Sequence, residues 1–330
     1  LRDTYGPQCI STITGTGRHL VKYLTRFGYA LGTPNVASAG AIICLGPRKN
    51  AGYSTAGVYS CVDYYGEVDP ACIVVWGANP TVSGADGELQ WHPRRCAQKG
   101  TKFIVIDPQK TELAQRADLW LRLRPGTDGA LALGILNVII QENLYDHEFV
   151  DNWTFGFEQL KERCAQYDLD KVSRITWVPK EQIVQAARMM ARVKPMSLEW
   201  GCAFEQGFNA TQTCRAIYMI PALTGNYDVP GGFIEGKQLD SIRKEPQQPN
   251  PDLINDYAYR NLRQCANPHQ VLDAIRMGQP YKIRAMLSFA NNSLLSLPDS
   301  TRVYEALKEL EFFVCSDIFM TPTAQLADIV

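Results

Sequence analysis

Two short apolar runs, ACIVVWGANP at 71–80 and KFIVIDPQK at 102–110, constrain this chain more than any other feature. The first packs six consecutive apolar residues and the second four, rich in Ile and Val, against a closing turn. Unbroken runs of that length fit strands buried on both faces of a parallel sheet, because a strand with one wet face would alternate. The stretch between them, GELQWHPRRCAQKG, reads as a helical connector ending at a Lys-Gly stop. Strand, helix, strand is a βαβ unit, whose crossover is almost always right-handed.

The rhythm continues along the chain. DLWLRLRPGTD at 118–128 reads as a strand running into a Pro-Gly turn, followed by the helix GALALGILNVIIQENL. DHEFVDNWTFGFEQLKERCAQY and PKEQIVQAARMMARV space their apolar residues by three and four, as amphipathic helices do. PMSLEWG at 195–201 reads as another strand, leading into a helix before LTG. GNYDVPGGFIEG at 225–236 breaks the pattern, and residues 237–261, polar and Pro-containing, read as a long surface excursion. A second α/β unit follows: strand IRAMLSFANN at 283–292, helix STRVYEALKELE at 300–311 and strand FFVCSD at 312–317. Near the start, CISTITGTGRH reads as strand and turn and LVKYLTRFGYAL as a helix. The expected class is α/β, with two open, mostly parallel, Rossmann-like sheets and flanking helices. One domain would be discontinuous, residues 1–40 with 225–330, and the other would span 41–224.

Composition excludes several functions. With 33 basic against 34 acidic side chains, the chain has no basic excess for gripping nucleic-acid phosphates, so any anion must be held locally. No stretch reaches the roughly 18–20 apolar residues of a membrane span; ALALGILNVIIQ at 130–141 is nearer a buried helix. The ten cysteines are scattered, with no C-x-x-C, which argues against a structural zinc site, a self-contained iron–sulfur cluster or a disulfide framework. Scattered thiols favour a reducing, cytoplasmic compartment, unless an export signal precedes the first residue. The chain opens without Met and closes at AQLADIV on an expected strand, so both ends are read as cut from a longer protein.

In open parallel sheets, ligands bind where the loops meet at the carboxyl ends of the strands. Those turns hold Gly77 and Asn79, then Asp107, then Arg124, Gly126, Thr127 and Asp128, with Asn291, Asn292 and Asp317 in matching places of the second unit. Glycine lets a phosphate approach the backbone, and an Asp can accept two hydrogen bonds from a ribose diol or a guanine edge. Taken singly, each of these also reads as an ordinary turn or helix cap. The chain has no G-x-G-x-x-G, Walker A, H-E-x-x-H or G-x-S-x-G motif, which leaves NAD, P-loop, zincin and hydrolase readings without a fingerprint.

The order GTPNVASAGAIICLGPR, VVWGANP, FIVIDPQKTELAQRADLWLRLRPGTDGALALGILNVIIQENLYDHEFV, LTGNYDVPGGFIEG and SDIFMTPTAQLADIV resembles the molybdenum or tungsten bis-pterin oxidoreductases, the dimethyl sulfoxide reductase superfamily. The resemblance covers nearly the whole chain. It implies the two central α/β domains of a catalytic subunit, each binding one molybdopterin guanine dinucleotide. An iron–sulfur domain before them and a β-barrel after them would be absent from this fragment.

Carried over onto these positions, the resemblance makes Cys44 the protein ligand to Mo or W, a soft thiolate beside four dithiolene sulfurs. Read alone, Cys44 would be an ordinary buried cysteine. Gly77, Asn79, Asp107 and Asp128 would hold one guanine dinucleotide, Asp128 facing the guanine edge. Asn291, Asn292 and Asp317 would hold the other, with Gly15 and Arg18 on a pyrophosphate. Gly201, Gln206 and Asn209 match a loop passing near the pterin, although Gln206 and Asn209 fit a solvated helix start equally well. Leu45 stands where formate dehydrogenases have His, and SAGAIICLG looks nearer the acetylene hydratase branch.

The resemblance implies two-electron chemistry on a small molecule, with an electron-transfer subunit in the full-length enzyme and a place in anaerobic metabolism. A non-redox hydratase or lyase on the same cofactor is the alternative. The isolated fragment would be an inactive guanine-nucleotide-binding module.

Overall fold

The computed structural model describes residues 1–15, 18–38, 44–83, 87–236 and 266–330. Its strands, in chain order, are β1 (Ile10–Thr14), β2 (Asn35–Ser38), β3 (Ser60–Val62), β4 (Cys72–Trp76), β5 (Lys102–Ile106), β6 (Leu119–Leu121), β7 (Met196–Trp200), β8 (Phe233–Glu235), β9 (Ala285–Phe289) and β10 (Phe312–Ser316). The expected surface excursion at 237–261 lies outside the described residues. The chain divides into two compact units, Leu1–Gly46 with Leu239–Val330, and Pro47–Gln238.

The first unit is built on a sheet of order β10-β9-β1-β2, parallel throughout. Ile13, Met286 and Phe313 from its strands pack with Val271, Ile275, Val303 and Leu307 from the helices Pro268–Met277 and Ser300–Lys308. Both helices begin on a side-chain cap. Asn267 accepts from the His269 N–H ahead of Pro268, and Asp299 accepts from the Arg302 N–H, each satisfying a donor the helix leaves unpaired.

The second unit carries a sheet of order β6-β5-β4-β7, again parallel throughout. All five residues of β4 are buried, which is why its sequence shows no alternation. The helix Asp128–Gln141 buries Leu131, Ile135, Leu136 and Ile139 against this sheet, and Lys180–Arg192 adds Ile183, Ala187 and Met190. Each fully buried Leu, Ile or Met among them contributes roughly 1.5–3 kcal/mol.

One pairing departs from the sequence reading. Residues 225–236, grouped there with the chain ends, belong to the second unit, because β8 pairs antiparallel with β3. The turn before β8 is fastened to the same unit, with Asn226 Oδ1 accepting from the Met196 N–H at 2.9 Å. Conversely, the unit boundary at Gly46 leaves Cys44 at the end of the first unit's opening segment.

Candidate functional site at the carboxyl ends of the strands

In the second unit the parallel register carries Gly77, Asn79, Asp107, Asp128, Gly201, Gln206 and Asn209 to one edge of the sheet. Gly77 follows β4 and donates to the Ile106 carbonyl at 2.9 Å, while Gly201 follows β7 and donates to the Trp76 carbonyl at 3.0 Å. The two glycines cross at backbone contact: a Cβ on Gly201 would enter the shell of the Gly77 carbonyl oxygen. Gly77 itself has φ +57°, and a Cβ there would press on Phe204 and Ala203. Beside this crossing the Asn79 side-chain oxygen is buried with no hydrogen-bond partner among the described residues, an acceptor waiting for a donor.

The two aspartates have different surroundings. Trp76 Nε1 donates to Asp128 Oδ1 at 2.9 Å, and burial raises the Asp128 carboxyl against that bond. Asp107 is half-buried, accepts from the Gln109 N–H at 2.7 Å, and is also raised by burial. Beside the turn that carries Asp107 opens a cleft of about 690 Å³ walled by Pro108, Trp120, Arg122, Pro125, Trp177 and Gln182. Trp120 Nε1 donates to the Asp107 carbonyl at 2.9 Å, and the Arg124 guanidinium lies 5.2 Å from the Trp177 ring. Flat apolar walls with cations at the rim suit an aromatic base carrying phosphates. Trp76→Phe leaves Asp128 buried without its donor and is expected to cost about 1–3 kcal/mol, measurable by chemical denaturation.

Gln206 and Asn209 lie exposed on the loop after β7. Asn209 is left-handed, φ +58°, and precedes the helix Ala210–Leu223 without a side-chain cap. Their neighbour Glu205 was missed. It is buried, and Arg48 Nε meets its carboxylate at 3.1 Å.

The first unit repeats the arrangement. Gly15 follows β1 and donates to the Phe289 carbonyl at 3.2 Å; a Cβ on it would collide with the Ala290 carbonyl oxygen. Ala290 has φ +47°, a conformation costly for a residue with a side chain. Asn291 is buried, donating Nδ2 to Ser293 Oγ at 2.6 Å, and Asn292 Oδ1 accepts from Thr323 Oγ1 at 2.7 Å. Asn291 thus braces its own turn, and Asn292 ties that turn to the segment after β10. Asp317 follows β10 and accepts from the Phe319 N–H at 3.2 Å, and Arg18 opens the helix Arg18–Leu31.

Cys44 is half-buried in a turn two residues ahead of the helix Gly46–Ala56. The apolar run before it, 39–43, lies outside the described residues. The helix went unforeseen, although Pro47 in its first turn is a helix-start signal. No disulfide joins the cysteines among the described residues, and no three His, Cys, Asp or Glu side chains among them form a metal-ligand set. Among the described residues no helix is long and apolar enough to cross a membrane.

Near Arg48, burial pushes the Glu199 carboxyl up to about 7, against the pull of Tyr64 and Arg48. A carboxyl raised on folding adds stability below its unfolded value, and that contribution disappears as pH climbs through the folded one. Glu199→Gln is therefore expected to match the native protein near pH about 4.5 and to exceed it by about 2–3 kcal/mol above pH about 7. Denaturation at both ends of that window tests the sign.

Comparison with known proteins gives a consistent picture. The family model described as Molybdopterin oxidoreductase matches residues 11–330. Acetylene hydratase of Syntrophotalea acetylenica is 34% identical over 99% of this chain and 49% of its own length. Formate dehydrogenase H of Escherichia coli is 30% identical over 100% of this chain and 49% of its own. The solved acetylene hydratase from Pelobacter acetylenicus superposes with a TM-score of 0.85 at 32% identity, covering all of this chain and 50% of that one. The chain thus spans about half the length of these relatives.

Proposed function

Because this chain belongs to the molybdopterin oxidoreductase family, we propose that each of its two units holds one pterin guanine dinucleotide and that Cys44 is the protein's thiolate ligand to the Mo or W. The observation that carries this reading is the repeated glycine crossing, Gly15 against Ala290 and Gly201 against Gly77, at the carboxyl edge of each parallel sheet. The residues present fit the group. The glycines let strand-end backbones close on one another at the carboxyl edge, where ligands of such sheets bind, and the unpartnered Asn79 oxygen asks for a donor. The aromatic cleft beside the Asp107 turn has the size for a guanine nucleotide, with Arg122 in its wall for phosphate charge.

When bound, such a cofactor supplies two-electron exchange or polarises a substrate at its metal. The chain's own task is to bind, orient and shield. Asp107 and Asp128 accept ring or ribose donors, Arg122 and Arg124 offset phosphate charge, and Cys44 supplies a soft sulfur. The whole protein would add an electron-transfer partner, and residues 1–330 alone would bind nucleotide without turnover.

A hydratase or lyase on the same cofactor is the second reading. The acetylene hydratase match and Leu45 after Cys44 favour it. Turnover of the full-length protein with and without a redox dye separates them. Product formed only with the dye supports oxidoreduction, and dye-independent product supports hydration.

A further inference from the structure

We infer that Arg48, paired with Glu205, is a positioning residue that fixes the tether of Cys44, an inference that rests on Cys44 being the metal ligand. The helix Gly46–Ala56 contains no Leu, Ile, Val, Phe or Met. It has little apolar surface with which to hold itself in place. Gly46 and Pro47 are buried at its start, and the contacts farther along fall on one face, at 48, 51, 52 and 55, the spacing of successive turns. Ala51 is fully buried in the second unit's core, and a Cβ on Gly52 would strike the Val58 carbonyl. Thr55 Oγ1 accepts from Arg215 Nε at 3.4 Å. Those contacts set the height of the helix on the sheet.

Of these four only Arg48 lies in the first turn, the one nearest Cys44, and it supplies that turn's polar anchor. Arg48 Nη1 donates to the Trp200 carbonyl at 2.6 Å, the last residue of β7, while its Nε faces Glu205 at 3.1 Å. The guanidinium also lies 5.5 Å from the Trp200 ring and 5.7 Å from the Tyr59 ring. Side-chain accessibilities of 15% and 0% place this ion pair out of water, where its strength is little screened. The planar fork reaches a carbonyl, a carboxylate and two aromatic faces at once, which a lysine ammonium cannot do. Cys44 lies four residues upstream of Arg48, so loosening this anchor frees the segment that carries the thiol.

The test uses full-length protein prepared without cofactor. Iodoacetamide labelling of Cys44, resolved from the other thiols by peptide mapping, reads its exposure directly. Truncation to Ala would strand a buried carboxylate, so the conservative variants Arg48→Lys and Glu205→Gln are used, with melting temperature recorded to show that each is folded. Both are expected to raise the Cys44 labelling rate by about five- to tenfold. In the loaded enzyme Arg48→Lys should lower kcat while leaving KM near the native value. Labelling within about twofold of native in both folded variants would overturn the inference. A Cys44→Ala enzyme with an unchanged metal coordination shell would defeat the ligand reading instead, and labelling would not be needed to see it.

Discussion

Replacing Cys44 with Ala in the full-length protein is expected to lower turnover by about a thousandfold or more, the equivalent of the several kcal/mol a correctly ligated metal contributes at the transition state. Pterin should remain bound, because the groups assigned to it, Gly77, Asn79, Asp107 and Asp128 in one unit and Gly15, Arg18, Asn291, Asn292 and Asp317 in the other, are untouched. Fluorescence of the released, oxidised pterin measures that retention beside the rate. Cys44→Ser should fall between the two, since oxygen is a harder donor that replaces sulfur poorly on a soft centre. Native turnover in the Ala variant would remove Cys44 from the chemistry.

The second large effect concerns the glycine crossings. Gly201→Ala places a methyl group inside the shell of the Gly77 carbonyl, and Gly15→Ala does the same to Ala290. In both cases the obstacle is backbone, which cannot swing aside as a side-chain end would. Each substitution is expected to cost about 1–3 kcal/mol or more of stability. Each should also push apart the two strand ends that form a cradle, with pterin content falling at least about tenfold. Denaturation midpoints together with pterin fluorescence on the same samples check both parts. Gly126→Ala is a useful control for the second part: its φ of +81° makes the substitution strained, but a Cβ there meets nothing within 4 Å. It should lose stability without displacing a neighbouring strand.

Much of this architecture can be read from the chain because the strands that matter are buried on both faces. CIVVW and KFIVI announce themselves by unbroken apolar runs, and the turns after them follow at fixed places. The parallel register then brings residues as distant as Gly77 and Gly201 to one edge without any further signal. The helix Gly46–Ala56 escaped because small and polar residues give it no apolar stripe to detect. The β3–β8 pair escaped because three-residue strands fall below what periodicity can resolve. Glu205 sits in a loop that reads as solvated, and only the distant Arg48 makes its burial sensible. Likewise, nothing in the sequence marks the side chain of Asn291 as bracing its own turn, or that of Asn292 as held by the distant Thr323, rather than standing open to a ligand.

The central claim is that a sulfur of this chain, that of Cys44, is bound to the metal. X-ray absorption at the metal edge of the full-length loaded protein, native against Cys44→Ala, tests it most directly. Loss of one sulfur scatterer in the variant is the predicted result, and an identical sulfur shell in both proteins would contradict it.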